Sequence, residues 1–255
     1  MSKNPEVSIV LPVYNEELYV AAAIQEMQKQ TFEDFEIIVV DDGSTDKTVE
    51  VAQGIVDPRI RVIPAKHAGM AAALNCGIKQ SRGQLIARHD ADDKCSPTRI
   101  EKQVMFLRNH PAVGVIGTGA TIVDETSGVV TEFRPPETDD EIRSMLVWKN
   151  PLVHSSVMMR KSVITAVGLY RDNYWQDYDL WLRLRNETSF ANLPEMLVER
   201  RVRAGGYFRM KNSKARWNIT QIQWRALAEG RFSAQLLASA SVSLMKFISL
   251  KAIRS

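Results

Sequence analysis

Short apolar runs alternate with amphipathic stretches through the first half of the chain. Residues 7–13 are apolar at Val7, Ile9, Val10, Leu11 and Val13, the pattern of a strand buried on both faces. Pro12 marks that strand as about to stop. After Tyr14-Asn15-Glu16-Glu17, the residues Ala21, Ala22, Ile24 and Met27 recur at helical spacing. Ile37-Ile38-Val39-Val40 predicts a second buried strand, closed by Asp41-Asp42-Gly43-Ser44-Thr45-Asp46. Thr45 or Asp46 can cap a helix over 47–54. Ile60-Arg61-Val62-Ile63 predicts a third strand, and Gly69 precedes a helix through Ala71, Ala72, Ala73, Leu74 and Ile78. A fourth strand follows at 85–88. This alternation implies an α/β fold with a mostly parallel central sheet flanked by helices.

The periodicity continues less regularly beyond residue 97. A helix is expected over 98–109, with Ile100, Val104 and Leu107 on one face and Arg99, Glu101 and Lys102 outside. Residues 113–123 read as a strand region broken by Gly114, Gly117 and Gly119. Pro135-Pro136 marks a loop, and 139–148 reads as a helix. A loop and strand follow over 150–159, including His154, which is a candidate ligand contact although a histidine beside a strand is more often structural. In 174–184, Leu180, Trp181 and Leu184 form an apolar helical face. The tail, 232–255, is apolar at Leu236, Leu237, Val242, Leu244, Met245, Phe247, Ile248 and Leu250 and basic at Lys246, Lys251 and Arg254. Such a helix can lie on a membrane surface, pair with a second copy, or pack on its own domain. The expected division is 1–135, 136–210 and a helical extension over 211–255.

Composition narrows the options. The 255 residues suit one large α/β domain with a small appendage. A net charge of +3 gives no reason to expect a nucleic-acid partner. Cys76 and Cys95 make no metal-ligand pattern and suit a reducing compartment. The first residues lack the apolar core of a signal peptide, and no run is long enough to span a membrane. The expected location is therefore cytoplasmic, with peripheral contact at the inner membrane face left open by the tail.

The candidate chemistry lies at the ends of the predicted strands. Arg88-His89-Asp90-Ala91-Asp92-Asp93 crowds three carboxylates into four positions. Carboxylates packed this closely repel one another unless a cation sits among them. On an extended segment Asp90 and Asp92 would share a face and Asp93 would turn away. Ligands of open α/β sheets bind beyond the C-terminal strand ends, where Tyr14, Asp41, Asp42 and this cluster all fall. Tyr14 can stack on a base, and one of Asp41 and Asp42 can accept a base N–H; the other is expected to serve the turn, a role that suits Asp41 better. No Rossmann glycine fingerprint or P-loop follows the first strand. Asp177 stands at or before the first turn of its helix, where it is either a proton acceptor or a plain cap. Asp179 has the same alternatives, with a structural role favoured by its apolar neighbours.

Five segments together resemble the family 2 glycosyltransferases of the GT-A fold. They are Val10-Leu11-Pro12-Val13-Tyr14-Asn15-Glu16, Val39-Val40-Asp41-Asp42-Gly43-Ser44-Thr45-Asp46, Ala73-Leu74-Asn75-Cys76-Gly77-Ile78, Asp90-Ala91-Asp92-Asp93 and Asp177-Tyr178-Asp179-Leu180-Trp181-Leu182-Arg183. They stand in the family's order across about residues 7–185. The resemblance implies an inverting hexosyltransferase dependent on Mn2+ or Mg2+. It would move a sugar from a nucleotide-diphosphate sugar, with UDP-sugars favoured, to a glycan or lipid-linked acceptor in polysaccharide or cell-surface glycan synthesis. It implies that Pro12, Tyr14, Glu16 and Asp42 line the nucleotide pocket. Asp90, Asp92 and Asp93 would hold ribose and metal, Asp90 and Asp92 forming the metal-binding Asp-x-Asp pair, and Asp177 would be the base. Two departures stand out: Gln176 where members often carry an acid, and Arg200-Arg201-Val202-Arg203 in place of Tyr-Arg-x-His. Arg201 and Arg203 are candidate phosphate or acceptor contacts. The rival readings are a catalytically impaired binding relative and a sugar nucleotidylyltransferase, whose glycine-rich start is missing.

Overall fold

The computed structural model describes residues 4–203, 213–230 and 234–252 of the chain. The first five strands are β1 (Val7–Val13), β2 (Phe35–Asp41), β3 (Ile60–Pro64), β4 (Leu85–Arg88) and β5 (Lys94–Cys95); the rest are β6 (Val113–Asp124), β7 (Val130–Phe133), β8 (Met158–Arg160) and β9 (Ser189–Val202). They form one sheet in the order β3-β2-β1-β4-β8-β6-β9-β5, with β7 paired to β6. The β3-β2-β1-β4 half is parallel, as the alternation predicts. The other half mixes directions: β8 runs antiparallel to β4 and β6, while β9 runs parallel to β6.

The helices are α1 (Val20–Gln28), α2 (Thr48–Gln53), α3 (Met70–Gln80), α4 (Arg99–Asn109), α5 (Asp139–Leu146), α6 (Lys161–Ala166), α7 (Gln176–Leu184), α8 (Ser213–Ala228) and α9 (Ala234–Ala252). Strand side chains alternate between faces. Ile9, Leu11, Ile37 and Val39 therefore face one core with Ile24 of α1 and Val104 of α4. Val10 and Ile86 face the other with Leu74 of α3 and Trp181 of α7. Helix α3 lies close on the sheet at Gly77, where an added Cβ would come within 2.5 Å of Val10. Asn75 hooks this helix to the second half of the chain: its side chain donates to the Tyr170 carbonyl at 2.8 Å and accepts from its N–H at 2.9 Å.

Three local expectations are corrected. Arg99 is fully buried instead of lying on the outer face of α4, and its guanidinium donates to the carbonyls of Arg88 and Ser155 at 3.0 and 2.8 Å. Residues 189–202, not read as a strand, form the long β9; register shifts beside Gly119 blur its alternation. Residues 90–93 make a turn closed by the Asp93 N–H on the Asp90 carbonyl, so the extended reading of this segment fails.

Helix α9 packs on its own domain at its start. Leu236 and Ala240 are buried, Leu236 beside Ile222 and Ala226 of α8, and Gln223 of α8 donates to the Ser239 hydroxyl at 2.9 Å. The described part also carries exposed Leu237 and Met245. The expected boundary at 210–211, Phe232 and Arg254, and the side chains of Phe247, Ile248, Leu250 and Lys251, lie outside the described residues. No described helix is long and apolar enough to cross a membrane.

Candidate active site

The C-terminal ends of β1, β2, β4 and β9 open onto a cleft of about 580 Å3. Its lining includes Pro12, Tyr14, Glu16, Asp42, His67, Gly69, Asp90, Asp92, Asp93, Arg200, Arg201 and Arg203. Tyr14 is exposed and stacks on His67, with ring centroids 4.4 Å apart. Asp42 accepts the N–H groups of Ala68 and Gly69 at 2.8 and 2.9 Å, which fixes the loop before α3. Gly69 holds φ of +89°, a backbone state that favours glycine. Asp41 is not among the lining residues; its carboxylate accepts from Gly43 and Ser44 and holds the turn. One of the two adjacent aspartates thus reaches the cleft, as alternation along a strand requires.

The carboxylates beyond β4 are held by arginines. Buried Arg88 makes a two-pronged pair with Asp90, at 2.9 and 2.5 Å. Arg203 reaches Asp92 at 2.8 Å and Glu16 at 2.6 Å, and its guanidinium lies 4.8 Å from the centre of the Tyr19 ring. Asp93 is buried; the Arg201 N–H donates to its Oδ1 at 3.0 Å, while its Oδ2 has no hydrogen-bond partner. Burial and the Asp90 charge push Asp93 up to about 7. Burial and Asp90 also raise Asp92, and burial raises Glu16 despite Arg203.

Even with these arginines, burial and the Asp90 charge still raise Asp92, so the two carboxylates crowd one another. Among the described residues no three His, Cys, Asp or Glu side chains form a ready-made metal cage. Magnesium and manganese are commonly held by one or two carboxylates together with substrate phosphates. The hard oxygen donors of Asp90 and Asp92, whose crowding a cation would relieve, fit that arrangement.

A second cleft of about 390 Å3 adjoins the first and shares Met70, Asp90 and Arg200 with it. It is lined further by Asn150, His154, Tyr174, Trp175, Gln176 and Asp177. Asp177 therefore belongs to the cleft that meets the first one at Asp90. Burial raises its pKa, although the Tyr178 N–H, Arg88 and Arg200 oppose this. The Asn150 amide donates to Asp177 Oδ2 at 2.6 Å. His154 lines the same cleft, with Nε2 2.9 Å from the Tyr170 hydroxyl. Burial and the nearby Arg88 and Arg200 hold it well below its ordinary pKa, so it is neutral. Asp179 is buried and takes Arg183 Nε at 2.8 Å, the structural role expected of it.

Sequence reasoning gave no role to Arg88, His67 or Asn150. Arg88 carried a usable signal, standing two residues before Asp90. His67 and Asn150 reach the clefts only through the fold.

A family model described as Glycosyl transferase family 2 matches residues 8–168. The amylovoran biosynthesis glycosyltransferase AmsE of Erwinia amylovora is 33% identical over 218 residues, covering 83% of this chain and 80% of that protein. S. aureus TarS 1–349 in complex with UDP-GlcNAc matches with a TM-score of 0.73 at 18% identity, over 95% of this chain and 71% of that one. A further S. aureus TarS 1–349 structure is matched over 64% of its own chain. The mannosyltransferase PcManGT from Pyrobaculum calidifontis, in complex with GDP-Man and Mn2+, matches at 0.69 and 17% identity, over 97% and 76%. The structural likenesses bear out the expected GT-A fold.

Proposed function

Since the chain belongs to glycosyl transferase family 2, we propose that it moves a sugar from a nucleotide-diphosphate sugar to an acceptor hydroxyl with inversion. The observation that carries this reading is the meeting of two clefts at Asp90, with Asp177 lining the second. The Tyr14–His67 pair offers a flat face to the base, and Asp42 holds the loop beneath it. Arg201 and Arg203 stand where they can meet the diphosphate. A divalent cation held by Asp90 and Asp92 would neutralise charge gathering on that leaving group. Asp177 takes the proton of the acceptor hydroxyl as its oxygen bonds to the anomeric carbon. The bond from that carbon to the diphosphate oxygen breaks on the opposite face, and its electron pair leaves with the diphosphate. Tyr174 and Trp175 give the acceptor cleft an aromatic wall suited to a sugar ring.

AmsE is named for amylovoran biosynthesis, and a glycan or lipid-linked acceptor suits this chain. The retained acids argue against an impaired relative. TarS binds UDP-GlcNAc and PcManGT binds GDP-Man, which makes UDP and GDP the first probes. Each should raise the melting temperature when Mn2+ is present, because a ligand of the native state stabilises it. UDP-N-acetylglucosamine or GDP-mannose should be hydrolysed slowly, with water as acceptor. No shift and no hydrolysis with either nucleotide would defeat the reading. Association through 232–255, with a membrane surface or with a second copy, is the tail's expected role, and sedimentation with and without anionic vesicles tests it: loss of co-sedimentation or of self-association on deleting 241–255 supports it, and unchanged behaviour refutes it.

A further inference from the structure

We infer that Asn150 is a positioning residue that sets both the orientation and the basicity of Asp177. The inference rests on the reading of Asp177 as the base. The orientation of the Asn150 amide is fixed by the chain itself: the Leu152 N–H donates to Asn150 Oδ1 at 3.1 Å. The amide nitrogen must therefore point the other way, and it donates to Asp177 Oδ2 at 2.6 Å. The loop before the 3-10 turn at His154–Ser156 is thus tied to the first turn of α7 through one side chain.

Two consequences follow from the chemistry of that donor. The bond selects one carboxylate oxygen for the protein and holds the carboxylate plane, so the other oxygen is the one left to the acceptor. A misplacement of about 1 Å at a reacting group can cost on the order of 10²-fold in rate. The amide is also neutral. A lysine or arginine in its place would stabilise the carboxylate strongly and make it a poor proton acceptor; an amide holds the group without that loss. The other groups facing Asp177 are Arg88 and Arg200, which favour its anion, and Tyr170 and Asp90, which oppose charge nearby. The Asn150 amide holds one defined oxygen of the Asp177 carboxylate at 2.6 Å, and the Tyr178 N–H at the start of the helix also favours the anion.

The test compares the full chain with Asn150→Ala, Asn150→Asp and Asp177→Asn, using UDP-N-acetylglucosamine and GDP-mannose hydrolysis with Mn2+ and the carboxyl-carbon NMR titration of Asp177. Asn150→Ala should lower kcat by about 10- to 100-fold and leave the donor KM within about twofold. It should move the Asp177 titration and the acidic limb of the kcat profile to higher pH, because the anion loses a donor. Asn150→Asp should move both further. A purely structural role would shift the melting temperature without moving the titration. Unchanged titration and kcat in Asn150→Ala, with Asp177→Asn inactive, would overturn the positioning role alone. Near-normal hydrolysis by Asp177→Asn would overturn the base assignment itself. If neither donor is turned over, the titration still decides whether Asn150 sets the basicity of Asp177.

Discussion

At the scale of single residues, α7 separates two aspartates that look alike in the sequence. Residues two apart on a helix point about 200° apart, so Asp177 and Asp179 cannot serve one site. Asp177 lines the cleft, whereas Asp179 is enclosed with Arg183. Asp179→Asn deprives a buried guanidinium of its carboxylate, and breaking such a pair costs about 3–5 kcal/mol; the fall should be read in a denaturant titration, with nucleotide affinity intact. For Asp177 the sign runs the other way. Its folded pKa is raised, so the native state holds a proton that the unfolded chain releases first. Its contribution is therefore present below about pH 4, the unfolded value, and is lost as pH rises through the folded value. Asp177→Asn should raise the melting temperature at pH 8 and have little effect at pH 4, as a calorimetric pH series would reveal. The apolar face of 180–184 made the helix legible from sequence, and the neighbours of Asp179 hinted at its enclosure. The amide on Asp177 was not legible, because Asn150 comes from a loop 27 positions away.

At the scale of elements, the parallel half of the sheet was readable because β1, β2 and β4 are dense runs of Val, Ile, Leu and Ala. Strand β9 was not, since Pro194 and Glu195 interrupt its apolar positions where the register with β6 shifts. Periodicity also cannot reveal a buried arginine such as Arg99, whose carbonyl partners are distant in sequence. The missed strand matters to the site, because β9 leads Arg200, Arg201 and Arg203 to the first cleft. Arg203 sits between Glu16 and Asp92, where it would compete with the proposed cation for Asp92. Arg203→Gln should therefore raise the affinity for Mn2+ alone by about 5-fold or more, a usual size for coupling between sites. It should lower the affinity for UDP with Mn2+. Calorimetry checks both, and equal Mn2+ affinity in the two proteins would remove the competition. The tail allows a separate comparison. Leu236→Ala should cost about 2–5 kcal/mol, as for other buried leucines, while Met245→Ala, at an exposed position, should cost almost nothing by the same denaturant titration.

At the scale of the whole molecule, one sheet sets two clefts on either side of a single point. The carboxylates beyond β4 stand at that point, and the two clefts approach it from the first and second halves of the chain. The gathering of Tyr14, Asp42 and Asp90 at one cleft was legible in the sequence, because strand ends in an α/β sheet converge wherever the loops go. The second cleft depends on how 150–156, 174–177 and 200–203 fold together, which no local pattern encodes. The in-line displacement proposed across this junction would leave no covalent sugar on the protein and would invert the anomeric centre. Proton NMR of the sugar released from UDP-α-N-acetylglucosamine or GDP-α-mannose in the presence of Mn2+ tests this most directly. The β-anomer should appear first and then equilibrate, and Asp177→Asn should abolish its release; first appearance of the α-anomer, or undiminished release by Asp177→Asn, would contradict inversion driven by that base.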